Sequence, residues 1–212
     1  MVEHMDEREA RREYIRHRQR IVFAIAGAVM AVVLVFATLV YTKVIDLQPD
    51  TVKTVQPNYG VKAPCAAKNQ DGTPMKWPAN DTTKVRVLNG TEFMGLGNAV
   101  YEELQNRHFT MAELQAGNYT SNKVDRTMIV FGEQAINNAY ALARNFSDAE
   151  LVMDDRPDRL VDVVIGNTFN NLRSDKEMKK DGDAIKDIEG CLSVDQMKKQ
   201  GLPKAPEHTL ID

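Results

Sequence analysis

From Ile21 to Val40 the chain reads IVFAIAGAVMAVVLVFATLV, an apolar run whose only polar side chain is that of Thr38. At about 1.5 Å per helical residue such a run covers the roughly 30 Å hydrocarbon core of a bilayer. It lacks the polar stripe of a helix packed on a soluble core, so a membrane-spanning helix is predicted over residues 21–41. Residues 42–83 carry Pro49, Pro57, Pro64, Pro74 and Pro78 among few apolar clusters, a pattern that predicts an extended, mostly irregular stalk.

The pattern tightens over residues 84–172. VRVL (Val85–Leu88) alternates as a strand, and Leu96, Val100, Tyr101 and Leu104 share one face of a helix running from about residue 95 to 107. FTMAELQ from Phe109 reads as a second strand and RTMIVFG (Arg126–Gly132) as a third. A second helix follows, with Ala135, Ala139, Leu142 and Phe146 on one face, and strands around Leu151 and Val163 complete the set. The fold class expected is α+β: one transmembrane helix, then a two-layer β-α-β-β-α-β-β domain with both helices on one side of a mixed sheet. Its halves read as a weak repeat of strand, helix, strand. Residues 173–212 form a charged extension with sparse apolar positions, where a short helix or two is expected and the proline-containing end is expected to be disordered.

Charge orients the chain. Arg8, Arg11, Arg12, Arg16, Arg18 and Arg20 precede the apolar run and only Lys43 closely follows it, so residues 1–20 are expected in the cytoplasm and everything after Tyr41 outside it. The run is longer than a signal-peptide core and has no A-x-A-like cleavage site, which favours an uncleaved anchor. Ala24 with Ala28 and Gly27 with Ala31 are small-xxx-small pairs, so a homodimer through this helix is a further expectation. Without the six arginines and five acids of residues 1–20, the remaining chain holds 21 basic and 25 acidic residues. No basic face is supplied in bulk for nucleic acid. Two cysteines and four scattered histidines give no metal-ligand spacing.

VRVLNGT followed by GLGNAV resembles the first strand and helix start of the C-terminal domain of the LytR-CpsA-Psr proteins, and VDVVIGNTF (Val161–Phe169) resembles that domain's last strand. The resemblance covers residues 84–172. The layout of basic start, single span, proline-rich stalk, one such domain and a flanking cysteine on each side is similar to the stand-alone envelope integrity proteins of the Cei type found in mycobacteria and corynebacteria. It implies a non-enzymatic component of the actinobacterial envelope, without the phosphotransferase domain, that binds wall-assembly proteins such as the LytR-CpsA-Psr phosphotransferases, or a wall polymer. Glu92 departs from the pattern, standing where many members carry a further glycine.

Candidate chemistry centres on the loop NGTEFMGLGNAV. Gly95 and Gly97 match the first two glycines of a dinucleotide fingerprint and Glu113 lies near the distance of its ribose-binding acid. Val100 fills the third glycine position, the loop is long for the motif, and no P-loop lysine is present. The competing expectation is structural: Asn89-Gly90 makes a turn with positive φ, and Gly95 and Gly97 let the helix start pack on the strand. Glu92, Phe93 and Met94 then project at the tip as a partner contact, with burial of Phe93 as the alternative. Cys65 and Cys191, both on the oxidising side, are expected to form a disulfide rather than two free or intermolecular thiols. The Asp154–Asp162 cluster DDRPDRLVD is read as solvated charges at a turn, and its use by an enzyme as a secondary possibility. Trp77 is a stacking surface for a glycan-binding alternative, or a cap on the domain edge. No catalytic, cofactor or metal-ligating residue is assigned.

Overall fold

The computed structural model describes residues 7–41, 56–120 and 124–210, which fall into two units, residues 1–54 and 55–212. In the first, helix α1 runs from Glu7 to Tyr41. It starts well ahead of the apolar run, because the stretch between Glu7 and Arg20 contains no glycine or proline to stop helix propagation. It is long and apolar enough to cross a membrane, and its side chains from Arg16 to Val35 are exposed. The Thr38 hydroxyl donates to the carbonyls of Leu34 and Val35, so the polar group of the apolar run is satisfied within the helix, as hydrocarbon requires. The first part of the expected stalk, residues 42–55, lies outside the described residues.

In the second unit, β1 (Lys84–Asn89) leads into α2 (Leu96–Asn106), followed by β2 (Thr110–Met111) and β3 (Gly117–Asn118). Then come β4 (Met128–Phe131), α3 (Ile136–Ala143), β5 (Glu150–Met153) and β6 (Val161–Ile165), with short helices α4 (Asp175–Met178) and α5 (Val194–Gln200) in the extension. The sheet order is β2-β1-β6-β4-β5, with β3 also pairing with β1. β1 is parallel to β2, β3 and β6, β4 is parallel to β5, and β4 with β6 is antiparallel. The expected mixed sheet and two strand-helix-strand halves are therefore present, with β6 between the halves.

One strand was expected between α2 and β4; the chain forms two of two residues each, separated by the loop 112–116. AELQAG lacks the β-branched residues that hold a long strand.

Alternation along the strands makes two faces. Val85, Val87, Ile129, Phe131, Val161, Val163 and Ile165 point into the main core with Val100, Leu104, Ala139 and Leu142 of the two helices. Several of these side chains are wholly buried, each contributing about 1.5–3 kcal/mol through removal from water. Leu88, Val130 and Val164 form a smaller cluster on the other face, joined by Tyr119 and Val124.

Two boundaries differ from expectation. Residues 56–83, assigned to a stalk, belong to this unit: Ala63 and Ala66 are core residues, and the Tyr140 hydroxyl donates to the Pro64 carbonyl at 2.8 Å. The extension is equally integrated, with Ile185 and Met197 buried in the same core. Its end, expected to be disordered, is held through His208: the Arg86 Nη1 donates to the Glu207 carbonyl at 2.9 Å and the Asp155 amide to the Pro203 carbonyl at 3.1 Å. Sparse apolar positions sufficed because each fills a site on a core already built.

Edge strand β5 is closed by an amide. The Asn58 side chain accepts from the Leu151 N–H at 2.7 Å and donates to the Leu151 carbonyl at 2.9 Å, reproducing a ladder step. This blocks further strand addition there. Asn58 and Tyr59 both have positive φ, a conformation Asn tolerates. Tyr59 is held by its hydroxyl on the Ser147 carbonyl and by the Arg126 guanidinium 3.7 Å above its ring.

Candidate functional site

The loop after β1 is tied to itself. Asn89 Oδ1 accepts from the amide and hydroxyl of Thr91, its Nδ2 donates to the Phe93 carbonyl, and the Phe93 amide donates to Thr91 Oγ1. The Gly90 amide donates to the Ile165 carbonyl at 3.0 Å. The amides of Gly90, Thr91 and Phe93, which a phosphate cradle would aim at its ligand, are thus consumed locally. Val100, in the third glycine position of the nucleotide motif, is 3% exposed and packs α2 on the sheet.

The glycines serve contact and turn. Gly90 was expected to supply positive φ, but it does not; a Cβ there would lie 2.7 Å from the Ile165 carbonyl oxygen, so what it supplies is close approach. Gly97 sits where a Cβ would lie 3.0 Å from the Ala116 Cβ and 3.2 Å from that of Asn89, as tight packing of the helix start requires. Positive φ occurs at Gly95, φ 82°, the residue that caps α2.

Two loop tips meet at this helix start. The chain projects Phe93, 64% exposed, and Met94, 98% exposed, just before α2. Loop 112–116 lies along the first turns of α2: the Ala116 amide donates to Asn98 Oδ1 at 3.1 Å and the Tyr101 hydroxyl to the Glu113 carbonyl at 2.9 Å. It carries Leu114, 97% exposed. Of the two expectations for Phe93, exposure holds and core burial does not. Leu114 was not anticipated, since reading FTMAELQ as one strand placed it within a ladder.

The Asp154–Asp162 stretch corrects its expectation most sharply. It is not a solvated turn: Asp154, Arg156, Asp158 and Asp162 are all buried. Asp162 stands opposite Arg86 in the β1–β6 register, and its two oxygens accept from Arg86 Nε and Nη2, each at 2.8 Å. Arg156 Nη2 bonds Asp162 at 2.9 Å and Asp154 at 2.7 Å. Burial works against the Arg156 charge, yet bonds from Asp154 and the field of Asp162 hold its pKa above the ordinary value. Asp154 and Asp162 are thus engaged by guanidiniums and sealed from solvent, out of a substrate's reach, while Asp158 meets the His208 imidazole at 3.2 Å. The cluster stitches two strands and the tail together.

Cys65 and Cys191 form the expected disulfide, with Cα atoms 4.9 Å apart. Beside it the Cys65 amide donates to the Leu192 carbonyl and the Leu192 amide to that of Ala63, so the segment ahead of β1 is joined to the extension. Asp187 lies close by, but both thiols are committed to the bridge and unavailable to a metal. Trp77 caps an edge: Nε1 donates to the Gly182 carbonyl at 2.9 Å, and the Arg144 guanidinium lies 4.8 Å from the ring centre. An indole so engaged is a poor stacking surface for a sugar.

Residues 82–169 match the family model described as LytR cell envelope-related transcriptional attenuator. A similar solved structure is the soluble domain of a conserved hypothetical secreted protein from Mycobacterium marinum, an Rv2700 ortholog, at 27% identity over 49% of this chain and 72% of that one, with a TM-score of 0.43. No curated protein matches the chain.

Proposed function

We propose that this chain, whose residues 82–169 form a domain of the LytR envelope-related family, is a single-pass envelope protein with a non-enzymatic domain outside the cytoplasm. The observation that carries the reading is that family domain following a helix apolar enough to span a bilayer. Six arginines ahead of the span and a disulfide after it both support an N-terminus in the cytoplasm and residues 55–212 outside, since such a bridge persists in oxidising surroundings. The domain binds wall-assembly proteins and so supports envelope integrity. Protein is favoured over an anionic wall polymer because the part beyond the span is mildly acidic and presents exposed apolar tips. Association of two copies through the small residues of α1 belongs to the same reading.

The test is topology joined to capture. Protease added to intact cells should remove the domain and spare an N-terminal tag, and crosslinking from the domain should yield protein adducts. A domain that resists protease in intact cells and cleaves only after lysis would refute the placement.

A further inference from the structure

We infer that Phe93, Met94 and Leu114 form one docking platform for a protein segment that presents bulky apolar side chains flanked by Lys or Arg. This rests on the binding role proposed above and names the chemistry of the partner.

Three exposed apolar side chains scattered over a surface would mean little. These three are gathered by built contacts. Loop 112–116 is pinned to α2 at Asn98, Gly97 and Tyr101, while Phe93 and Met94 immediately precede that same helix turn. Asn89 bonds to Thr91 and Phe93 fix the first tip, so the platform is preorganised and ordering it costs a partner little. Phe93, Met94 and Leu114 are 64%, 98% and 97% exposed at neighbouring tips around one helix start, and apolar side chains so grouped mark an interaction site.

The rim selects the partner. Glu113 precedes Leu114, and Glu102 lies one helical turn beyond Asn98 on the face that holds the loop; neither carboxylate is ion-paired with a described residue. An acidic rim repels phosphate-bearing polymers and anionic lipid surfaces and attracts cationic residues, while the apolar centre requires apolar side chains opposite. A protein segment of that composition satisfies both.

The experiment uses the full-length chain in its own membrane, with a photoreactive phenylalanine analogue at position 94 in one variant and at exposed position 199 in another. The expected result is a protein adduct at 94 whose crosslinked segment, sequenced by mass spectrometry, contains bulky apolar residues next to Lys or Arg. Glu102→Lys with Glu113→Lys should lower its yield about tenfold, and Glu→Gln at both positions by less. Resistance of the domain to limited proteolysis, equal to that of the unsubstituted chain, reports that each variant is folded. A lipid or glycan adduct at 94, a segment without cationic residues, or a yield indifferent to charge reversal would overturn the platform. Protein capture at 199 but not 94 would overturn it while sparing the binding role; capture at neither would overturn both.

Discussion

Asp162→Asn tests the claim that the buried ions act as a structural unit. The substitution is nearly isosteric, but it removes the charge that accepts from Arg86 at 2.8 Å twice and from Arg156 at 2.9 Å, leaving Arg156 with Asp154 and the Arg86 guanidinium without its carboxylate. Removing one partner of a buried pair costs about 3–5 kcal/mol, because the other charge stays desolvated and uncompensated. Against a total stability of about 5–15 kcal/mol this is severe. Arg86→Met with Asp162→Leu should cost less: it deletes a matched pair and spares the Arg156–Asp154 pair, forfeiting the bond to the Glu207 carbonyl, about 1 kcal/mol, and the Arg156–Asp162 bond, about 1.5–3 kcal/mol at most. Urea unfolding of residues 55–212 with the disulfide intact measures both, and the single tryptophan, Trp77, reports on the packed edge where the extension meets the domain. A loss under about 1 kcal/mol for Asp162→Asn at unchanged m, or a double variant no better than the single, would refute the reasoning.

Three further outcomes are expected. Replacing Cys65 and Cys191 by serine opens a closure of 126 residues, for which chain entropy gives a loss of up to about 5 kcal/mol; chemical denaturation of oxidised and serine forms reads it. Gly166→Ala should destabilise by about 1–3 kcal/mol, measured by thermal unfolding, because its Cβ would collide with the Arg126 backbone. Burial raises the Asp181 pKa, but bonds and charge from Arg173 and Arg144 outweigh it and hold the group below its ordinary 3.8. Asp181 therefore stabilises the fold above that value and loses its contribution as pH falls through the lower folded pKa. Asp181→Asn should flatten the acid limb of a stability–pH profile below about pH 4 and remove stability at neutral pH.

Much of the fold is written in periodicity. Leu96, Val100, Tyr101 and Leu104 mark the buried face of α2, and the strand pattern places β1, β4, β5 and β6 because each alternates or runs apolar between turn residues. What local pattern cannot carry is pairing across long separations. Arg86 and Asp162 are 76 residues apart, and only the β1–β6 register shows that each neutralises the other. The same limit hid the fate of residues 56–83: prolines describe an extended chain equally well whether it hangs in solvent or lies on a core, and it is tertiary contacts such as those of Asn58, Ala63, Pro64, Ala66 and Cys65 that distinguish the two. At the candidate site projection of the Phe93-Met94 tip was legible as one of two expectations, burial of Phe93 being the other, and the local bonds of Asn89 and Thr91 decide between them. Leu114 was not, because its exposure follows from β2 stopping at Met111, a tertiary outcome.

The way the unit is wrapped bears on how it binds. Helices cover one face of the sheet, the segment through His208 bonds to the other, Asn58 occupies the β5 edge, and the disulfide fastens the two flanking segments to one another. These closures leave the Phe93-Met94 and Leu114 loop tips exposed as a means of contact. A platform of three side chains is smaller than the roughly 800 Å² per partner of a standard stable interface, so in free solution its affinity would be weak and its complexes brief. If α1 anchors the domain as proposed and the partner is held in the same membrane, the effective concentration rises and modest contacts suffice. On this account α1 contributes to recognition as well as to location. A released residues 55–212 should retain the platform's specificity toward a basic, apolar segment while losing most of its occupancy at cellular concentrations.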